Sequence, residues 1–183
     1  MLHCGPFIGD VRLVADSLSL WFRAIICLVF GCGLAYGIGY MKHYGEYRPH
    51  VRLHWVHYAV CFLSMLALCV VRNTLAFLVC WEIMALSSFM LIIFESWKKE
   101  VVEAGINFFI QSHISVALLS VGFIAIAHQT GSYDFENIAK YNGSAWPIVL
   151  ILAGFAVKAG FVPFHTWLPK AHPAAPAHIS GVM

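Results

Sequence analysis

The chain has 183 residues, of which 61% are hydrophobic and only 11% are charged, and its net charge is +2. Water-soluble domains carry about 25% charged residues, and disordered chains combine low hydrophobicity with high charge. Both classes are therefore excluded, and so small a charge without a long basic cluster gives no reason to expect nucleic acid as a partner. The six cysteines form no Cys-x-x-Cys pair, which argues against a disulfide scaffold. With a mean hydropathy of +0.79, the composition predicts an integral membrane protein whose first partner is the lipid bilayer.

Five segments are apolar over about 20 residues, the length that a membrane helix needs. They are residues 18–41, 53–71, 74–94, 104–127 and 146–163. The last is the weakest, because it holds a lysine, two glycines and a closing proline. Residues 1–16 lack the basic start and apolar core of a signal peptide, so none is expected. We predict an all-α polytopic bundle of about five transmembrane helices, the last one broken, forming a single membrane domain over residues 1–183 with no soluble domain.

The basic residues between these segments predict the orientation of the chain. Successive loops alternate sides, which gives one set of six cations and one of three. The larger set is Lys42, Arg48, Arg52, Lys98, Lys99 and Lys170, and the smaller is Arg12, Arg72 and Lys140. Cytoplasmic loops carry an excess of lysine and arginine. The larger set is therefore predicted to be cytoplasmic, with the N-terminus outside.

Glu82 lies near the middle of the third segment, eight residues after Thr74. A charge at that depth costs about 2.5–3.5 kcal/mol on insertion scales. The side chain must therefore face protein or water, be paired, or be neutral. A structural ion pair between two helices would satisfy this, but the position favours a proton-carrying role.

Lys158 is the second charge at membrane depth, about 12 residues after Trp146. Desolvation disfavours an ammonium group, so a buried lysine can release its proton, whereas arginine stays charged. Gly160 and Pro163 follow directly and predict that the helix breaks there. A broken helix survives in a membrane only where protein or water satisfies the freed backbone groups, and such breaks are typical of ion paths. Snorkelling of Lys158 to the interface is the competing interpretation.

Histidines supply further candidates, since imidazole titrates near neutral pH. His113 lies inside the fourth segment, where Asn107, Gln111 and Ser115 line one helix face at i, i+4 and i+8. That polar face is as consistent with hydrogen bonds between helices as with a proton relay. Three histidines follow the break. They are His165, His172 and His178, of which His165 is the one included among the candidate proton carriers.

Two runs of sequence resemble the antiporter-like membrane subunits of respiratory complex I, multisubunit cation/proton antiporters and formate hydrogenlyase-type hydrogenases. The first, at residues 77–91, contains Trp-Glu-Ile-Met-Ala-Leu-Ser-Ser. The second, at residues 156–169, reads Ala-Val-Lys-Ala-Gly-Phe-Val-Pro-Phe-His-Thr-Trp-Leu-Pro, and His-Pro-Ala-Ala-Pro follows at 172–176. A weaker match is Thr-Gly-Ser-Tyr-Asp-Phe at 130–135. The wording around His113 and the His-Pro-Ala-Ala-Pro run are most similar to the hydrogenase-linked branch.

The resemblance implies a proton-translocating membrane subunit of a redox-driven complex in a bacterial or archaeal cell membrane. In the family, the residues matching Glu82 and Lys158 form a mid-membrane pair on the proton path. Members have about fourteen spans in two inverted five-helix repeats, and this chain resembles the first repeat, so other membrane subunits or further helices would have to complete the path. No cofactor or metal is expected, because the chain has no cysteine cluster and no nucleotide-binding loop.

Three alternatives stay open. The same motifs occur in sodium/proton antiporters without a redox partner, so sodium is a second candidate ion beside the proton. A non-transporting structural module is another alternative, because only one repeat is represented. A haem-binding cytochrome is the least favoured, because it needs facing histidines and only His113 lies clearly inside a segment, with His54 and His57 at an entrance.

Overall fold

The structure is a computed structural model that describes residues 2–3 and 10–183. In chain order the elements are strands β1 (Leu2–His3) and β2 (Asp10–Val11), and helices α1 (Ser17–Tyr40), α2 (Arg48–Leu68), α3 (Thr74–Ile92), α4 (Lys99–Thr130), α5 (Phe135–Ile138), α6 (Trp146–Ala159), α7 (Leu168–Ala174) and α8 (Ala177–Val182). Short 3-10 turns join several of them, at Met41–Tyr47, Ile93–Glu95 and Phe164–Trp167. The two strands pair antiparallel.

Five of these helices, within the described residues, are long and apolar enough to cross a membrane: α1, α2, α3, α4 and α6 with the segment that follows it. This confirms the predicted all-α bundle with a broken fifth span. Some helix ends differ from the sequence prediction. Helix α2 begins at Arg48 rather than at residue 53, and α6 ends at Ala159, before Pro163.

Helix α4 is the centre of the bundle, since it packs against both α3 and α6. Its contact with α6 includes a hydrogen bond from the Ser115 hydroxyl to the Gly154 carbonyl oxygen, at 2.7 Å. Helix α2 packs against α3, and α8 lies across α1. Small and hydroxyl residues at such contacts allow helices to approach closely in a bilayer, where apolar burial alone does not drive association.

The outer surface is apolar, most of all on α1. Leu20, Trp21 and Leu28 are each more than half exposed. A soluble monomer rarely exposes apolar patches of more than a few hundred Å². The backbone groups are satisfied within the helices, as a hydrocarbon solvent requires. This surface is therefore the one expected against lipid or neighbouring membrane chains.

One end of the bundle gathers the smaller set of loop cations. The Asp16 side chain caps α1 by accepting the Ser19 amide N–H at 2.7 Å, and Arg72 pairs with the same carboxylate. The hydrogen bonds from Ser19, and then Arg72, lower the pKa of Asp16 to about 2. Arg12 lies 4.0 Å from Glu136 in the same group of loops.

The opposite end gathers cations of the larger set. The Tyr44 hydroxyl donates to Glu95 at 2.9 Å, and Lys98 Nζ lies 2.7 Å from the other oxygen of that carboxylate. Lys170 lines an open cleft of about 410 Å³ with Glu95 and Lys98. We call this end the Lys98 end. Which end faces the cytoplasm stays a prediction from the loop charges.

Candidate functional site

Glu82, on α3, pairs with His113 on α4. The carboxylate Oε1 lies 2.9 Å from His113 Nε2, and His113 Nδ1 lies 2.9 Å from the Phe109 carbonyl oxygen. A carbonyl oxygen only accepts, so Nδ1 carries a hydrogen. The remaining contact then holds one shared proton, because a bare Nε2 would repel a carboxylate oxygen. The pair is either imidazolium with carboxylate or imidazole with carboxylic acid, and its net charge is the same in both.

The second carboxylate oxygen of Glu82 is an open hydrogen-bond acceptor. Oε2 is buried and has no hydrogen-bond partner among the described residues. A buried acceptor without a partner costs about 1–3 kcal/mol, so a donor that reaches this oxygen would be stabilising. The pair therefore has one proton held in place and one vacant position.

Lys158 lies in the last turn of α6, against a different side of α4. Its Nζ donates to the Ser112 hydroxyl at 3.3 Å and lies 4.4 Å from the centre of the Phe108 ring. A cavity of about 190 Å³ adjoins the ammonium group. The cavity is lined by Cys61, Met65, Met84, Ser88, Phe108, Lys158, Trp167, Val182 and Met183. That volume can hold several water molecules, and the Ser88 hydroxyl and the Lys158 ammonium offer them partners.

The structure corrects one expectation, because Glu82 and Lys158 do not form a direct pair. Among the described residues, the nitrogen base within 4 Å of the Glu82 carboxylate is His113, while Lys158 reaches Ser112. The reason is that α4 packs against both α3 and α6 and offers each charged side chain a nearer partner, although Trp81 of α3 and Phe155 of α6 also contact each other at 5.4 Å between ring centres. The acid and the base are thus bridged by two consecutive residues of α4 instead of touching.

At the helix break beside Lys158, other groups of the protein form hydrogen bonds with the backbone. Gly160 ends α6 with φ +71°, a conformation that favours glycine. The Val157 carbonyl accepts the Gly160 amide at 3.2 Å and the Trp167 indole N–H at 3.1 Å. Pro163 follows in the loop that leads to the turn at Phe164–Trp167. Protein donors thus replace the missing helical ones, as a break at membrane depth requires.

Among the described residues, His165 forms no hydrogen bond or ion pair with Glu82 or Lys158. It is exposed on the turn after the break, next to Thr166, whose hydroxyl accepts from the Gln111 side chain at 2.5 Å. Gln111 also donates to Asn107 on its own helix, at 3.1 Å. The polar face of α4 therefore fixes the segment after the break, while a role for His165 in a proton path stays a prediction.

Sequence reasoning missed a second buried cluster. His54 on α2 and His178 on α8 face each other with their Nε2 atoms 2.8 Å apart. From the sequence, His54 is expected at an entrance and His178 is not among the candidate proton carriers, yet each is only 3% exposed. A signal was present in α2, where His54, Tyr58 and Cys61 follow at i, i+4 and i+7 and so share one face.

Comparisons with known proteins show which proteins this chain resembles. The family model described as NADH:quinone oxidoreductase/Mrp antiporter, transmembrane, matches residues 72–183, more than half of the chain. Hydrogenase-4 component B of Escherichia coli is 34% identical over 97% of this chain and 27% of its own length. NADH-quinone oxidoreductase subunit N of Azoarcus is 28% identical over 92% of this chain and 34% of its own length.

A solved structure shares the fold. A chain of the Mrp complex from Dietzia superposes with a TM-score of 0.80, at 19% identity, over 94% of this chain and 33% of that chain. The chain thus spans about a third or less of the relatives that it matches. Together with five apolar helices, these matches identify an integral membrane protein and confirm the resemblance read from the two sequence runs. The chain belongs to the NADH:quinone oxidoreductase/Mrp antiporter family of transmembrane subunits.

Proposed function

We propose that this chain carries protons as part of an antiporter-like subunit in a redox-driven membrane complex, of the hydrogenase-linked or the NADH–quinone oxidoreductase type. The observation that carries the proposal is the attachment of Glu82 and Lys158 to adjacent residues of α4, His113 and Ser112. Both proton-binding groups thereby lie at one depth in the membrane. Similarity to hydrogenase-4 component B supports the hydrogenase-linked branch.

Electrostatics couples the two groups in this proposal. The Glu82–His113 pair is neutral with one shared proton, and a second proton on Glu82 makes it a cation. A cation there and an ammonium at Lys158 repel each other, and the repulsion is stronger than in bulk water because the effective dielectric constant inside the bundle is lower. Loading the acid–histidine pair therefore favours release of a proton from Lys158, and reloading of Lys158 favours release from the pair.

Partners follow from the same proposal. We infer that other membrane subunits complete the path, that protons are the transported ion, and that the chain lies in the cell membrane with its N-terminus outside. In this arrangement residues 1–183 act as one membrane domain. Electron transfer would take place in other subunits.

The test uses the complete complex, reconstituted in vesicles and driven by its electron donor, with proton uptake followed by a pH-sensitive dye. Glu82→Gln, Lys158→Met and Lys158→Arg should each abolish proton translocation while the complex still assembles. The arginine variant is informative because it keeps the charge but stays protonated. The matched controls are Lys99→Met and Glu103→Gln, since that pair is exposed at 89% and 65%, 3.6 Å apart. Undiminished translocation in the Glu82 and Lys158 variants would reject the proposal.

A sodium/proton antiporter is the second candidate, favoured by the family description, which names the Mrp antiporter. It predicts sodium-dependent proton exchange in vesicles that lack any electron donor. Co-purification with a hydrogenase or quinone-reducing arm, and no exchange without electron transfer, would favour the redox-driven complex instead. A structural, non-transporting role predicts neither activity.

A further inference from the structure

The buried pair of His54 and His178 has two ring nitrogens without a hydrogen-bond partner among the described residues, as well as its central contact. The Nε2 atoms are 2.8 Å apart, so one of them carries a hydrogen and the other accepts it. In the neutral pair, one ring therefore has a bare Nδ1 and the other an Nδ1–H. Both Nδ1 atoms are buried and lack a hydrogen-bond partner among the described residues.

A purely structural role fits this arrangement poorly. The neighbours of the rings are aromatic, with Phe94 at 5.0 Å from His54 and Tyr40 at 5.6 Å from His178 between ring centres. Gly37 leaves room for the His178 ring, since a Cβ there would come within 2.8 Å of it. Two unpartnered buried nitrogens cost about 1–3 kcal/mol each, so apolar side chains would join the helices at lower cost.

Polar groups and open space extend from Lys158 toward this pair. The cavity beside Lys158 is also lined by Cys61 and Ser88, whose sulfur and oxygen atoms are 3.6 Å apart. Cys61 lies on the same face of α2 as His54. The cavity reaches Val182, one helical turn after His178.

On the far side, the pair leads toward the Lys98 end. The Tyr40 ring lies between His178 and Tyr44, at 5.6 and 5.8 Å from their ring centres. The Tyr44 hydroxyl donates to Glu95, which in turn pairs with Lys98. These side chains connect the buried imidazoles to a charged surface.

Depth along the helices agrees with this order. His54 is six residues from the start of α2 at Arg48, about 9 Å at 1.5 Å per residue. Ser112, which binds Lys158, is thirteen residues from the start of α4 at Lys99, about 20 Å. Both helices start at the Lys98 end, so the histidines lie between Lys158 and that surface.

We propose that His54 and His178 form a proton relay between Lys158 and the Lys98 end of the bundle. The inference rests on the proposed function, in which Lys158 takes up and releases a proton. A proton arriving at the bare Nδ1 of one ring makes it an imidazolium, and its Nε2 proton passes to the Nε2 of the other ring. That ring then releases its own Nδ1 proton. One proton enters and one leaves, and the two rings must reset their tautomers before the next follows.

The test uses the complete complex in vesicles with a pH-sensitive dye. His54→Gln and His178→Gln keep a hydrogen-bonding side chain but remove the proton-binding nitrogens, and each should lower proton translocation at least tenfold. His57→Gln is the matched control, because His57 lies on the same helix but borders a separate, apolar groove. Translocation above half of the unmodified rate in either relay variant would overturn the relay.

Two further variants keep the test decisive. If a single change prevents assembly, the double variant His54→Gln with His178→Gln can restore a hydrogen bond between the two amides. Its proton translocation should be as slow as that of the single variants. A rate above half of the unmodified one would overturn the relay. Lys158→Met, measured in parallel, separates the two proposals. Translocation that survives Lys158→Met overturns the proposed function, whereas translocation lost there but kept in the histidine variants overturns the relay alone.

Discussion

The contact between Glu82 and His113 should contribute measurably to the stability of the bundle. In a double-mutant cycle with Glu82→Leu and His113→Leu, the coupling free energy isolates this one interaction. Two unit charges at 4 Å attract by about 4 kcal/mol at an effective dielectric of 20, and exposed pairs retain only about 0.2–1 kcal/mol. The Glu82 and His113 side chains are 29% and 41% exposed. At this depth in the membrane the exposed part does not face bulk water, so the attraction is screened less than at a protein surface. We therefore expect a coupling of about 2 kcal/mol.

The assay is unfolding of the purified protein in lipid–detergent discs by a denaturing detergent, followed by loss of helical circular dichroism. The exposed pair of Lys99 and Glu103, at i and i+4, serves as the reference, and its cycle should give about 0.3–0.5 kcal/mol. A Glu82–His113 coupling no larger than that of the reference pair would refute the shared-proton contact. The coupling is informative because the cycle subtracts the effect of each single replacement on its own surroundings.

Three other predictions concern the break, the cap and the orientation. Trp167→Phe keeps the ring against its neighbours but removes the indole N–H from the break, so the unfolding free energy should fall by about 1–2 kcal/mol, against about 3–5 kcal/mol for Trp167→Ala. Equal losses in the two variants would contradict this. The pKa of Asp16 is lowered to about 2, chiefly by the Ser19 amide, so its stabilising effect should be complete above pH 4 and disappear as the pH falls toward 2. Asp16→Asn should remove that dependence, and an unchanged acid profile would disprove the cap. A cysteine at Lys98 should react with an impermeant reagent only from the cytoplasmic side and one at Lys140 only from outside, and the reverse pattern would invert the topology.

The fold was predictable because a lipid solvent imposes simple rules. Length and apolarity alone identify five spans, and glycine followed by proline identifies the break after Lys158. Helix ends were less predictable, because polar residues at an interface can stay helical. Helix α2 begins at Arg48 and α4 at Lys99, since their long side chains can extend toward water while the backbone remains helical.

The partners of the charged residues were not predictable in the same way. Opposite charge alone favours joining Glu82 to Lys158, but side-chain contact also depends on which nearer groups each side chain meets. The sequence contains no direct signal that Ser112 and His113 of α4 bind the two charged groups. The His54–His178 contact was hidden as well, because the two residues are 124 positions apart and the shared face of α2 does not indicate its partner.

The periodicity of α4 explains how one helix serves three neighbours at one depth. Successive residues turn by about 100°, so Gln111, Ser112 and His113 point in three directions while rising only about 3 Å along the axis. Gln111 binds the segment after the break, Ser112 binds the Lys158 ammonium, and His113 binds Glu82. Protons exchanged between the acid and the base would therefore pass around α4, across the membrane plane, and not along it. A vertical path needs another set of groups, and His54 and His178 lie between this plane and the Lys98 end.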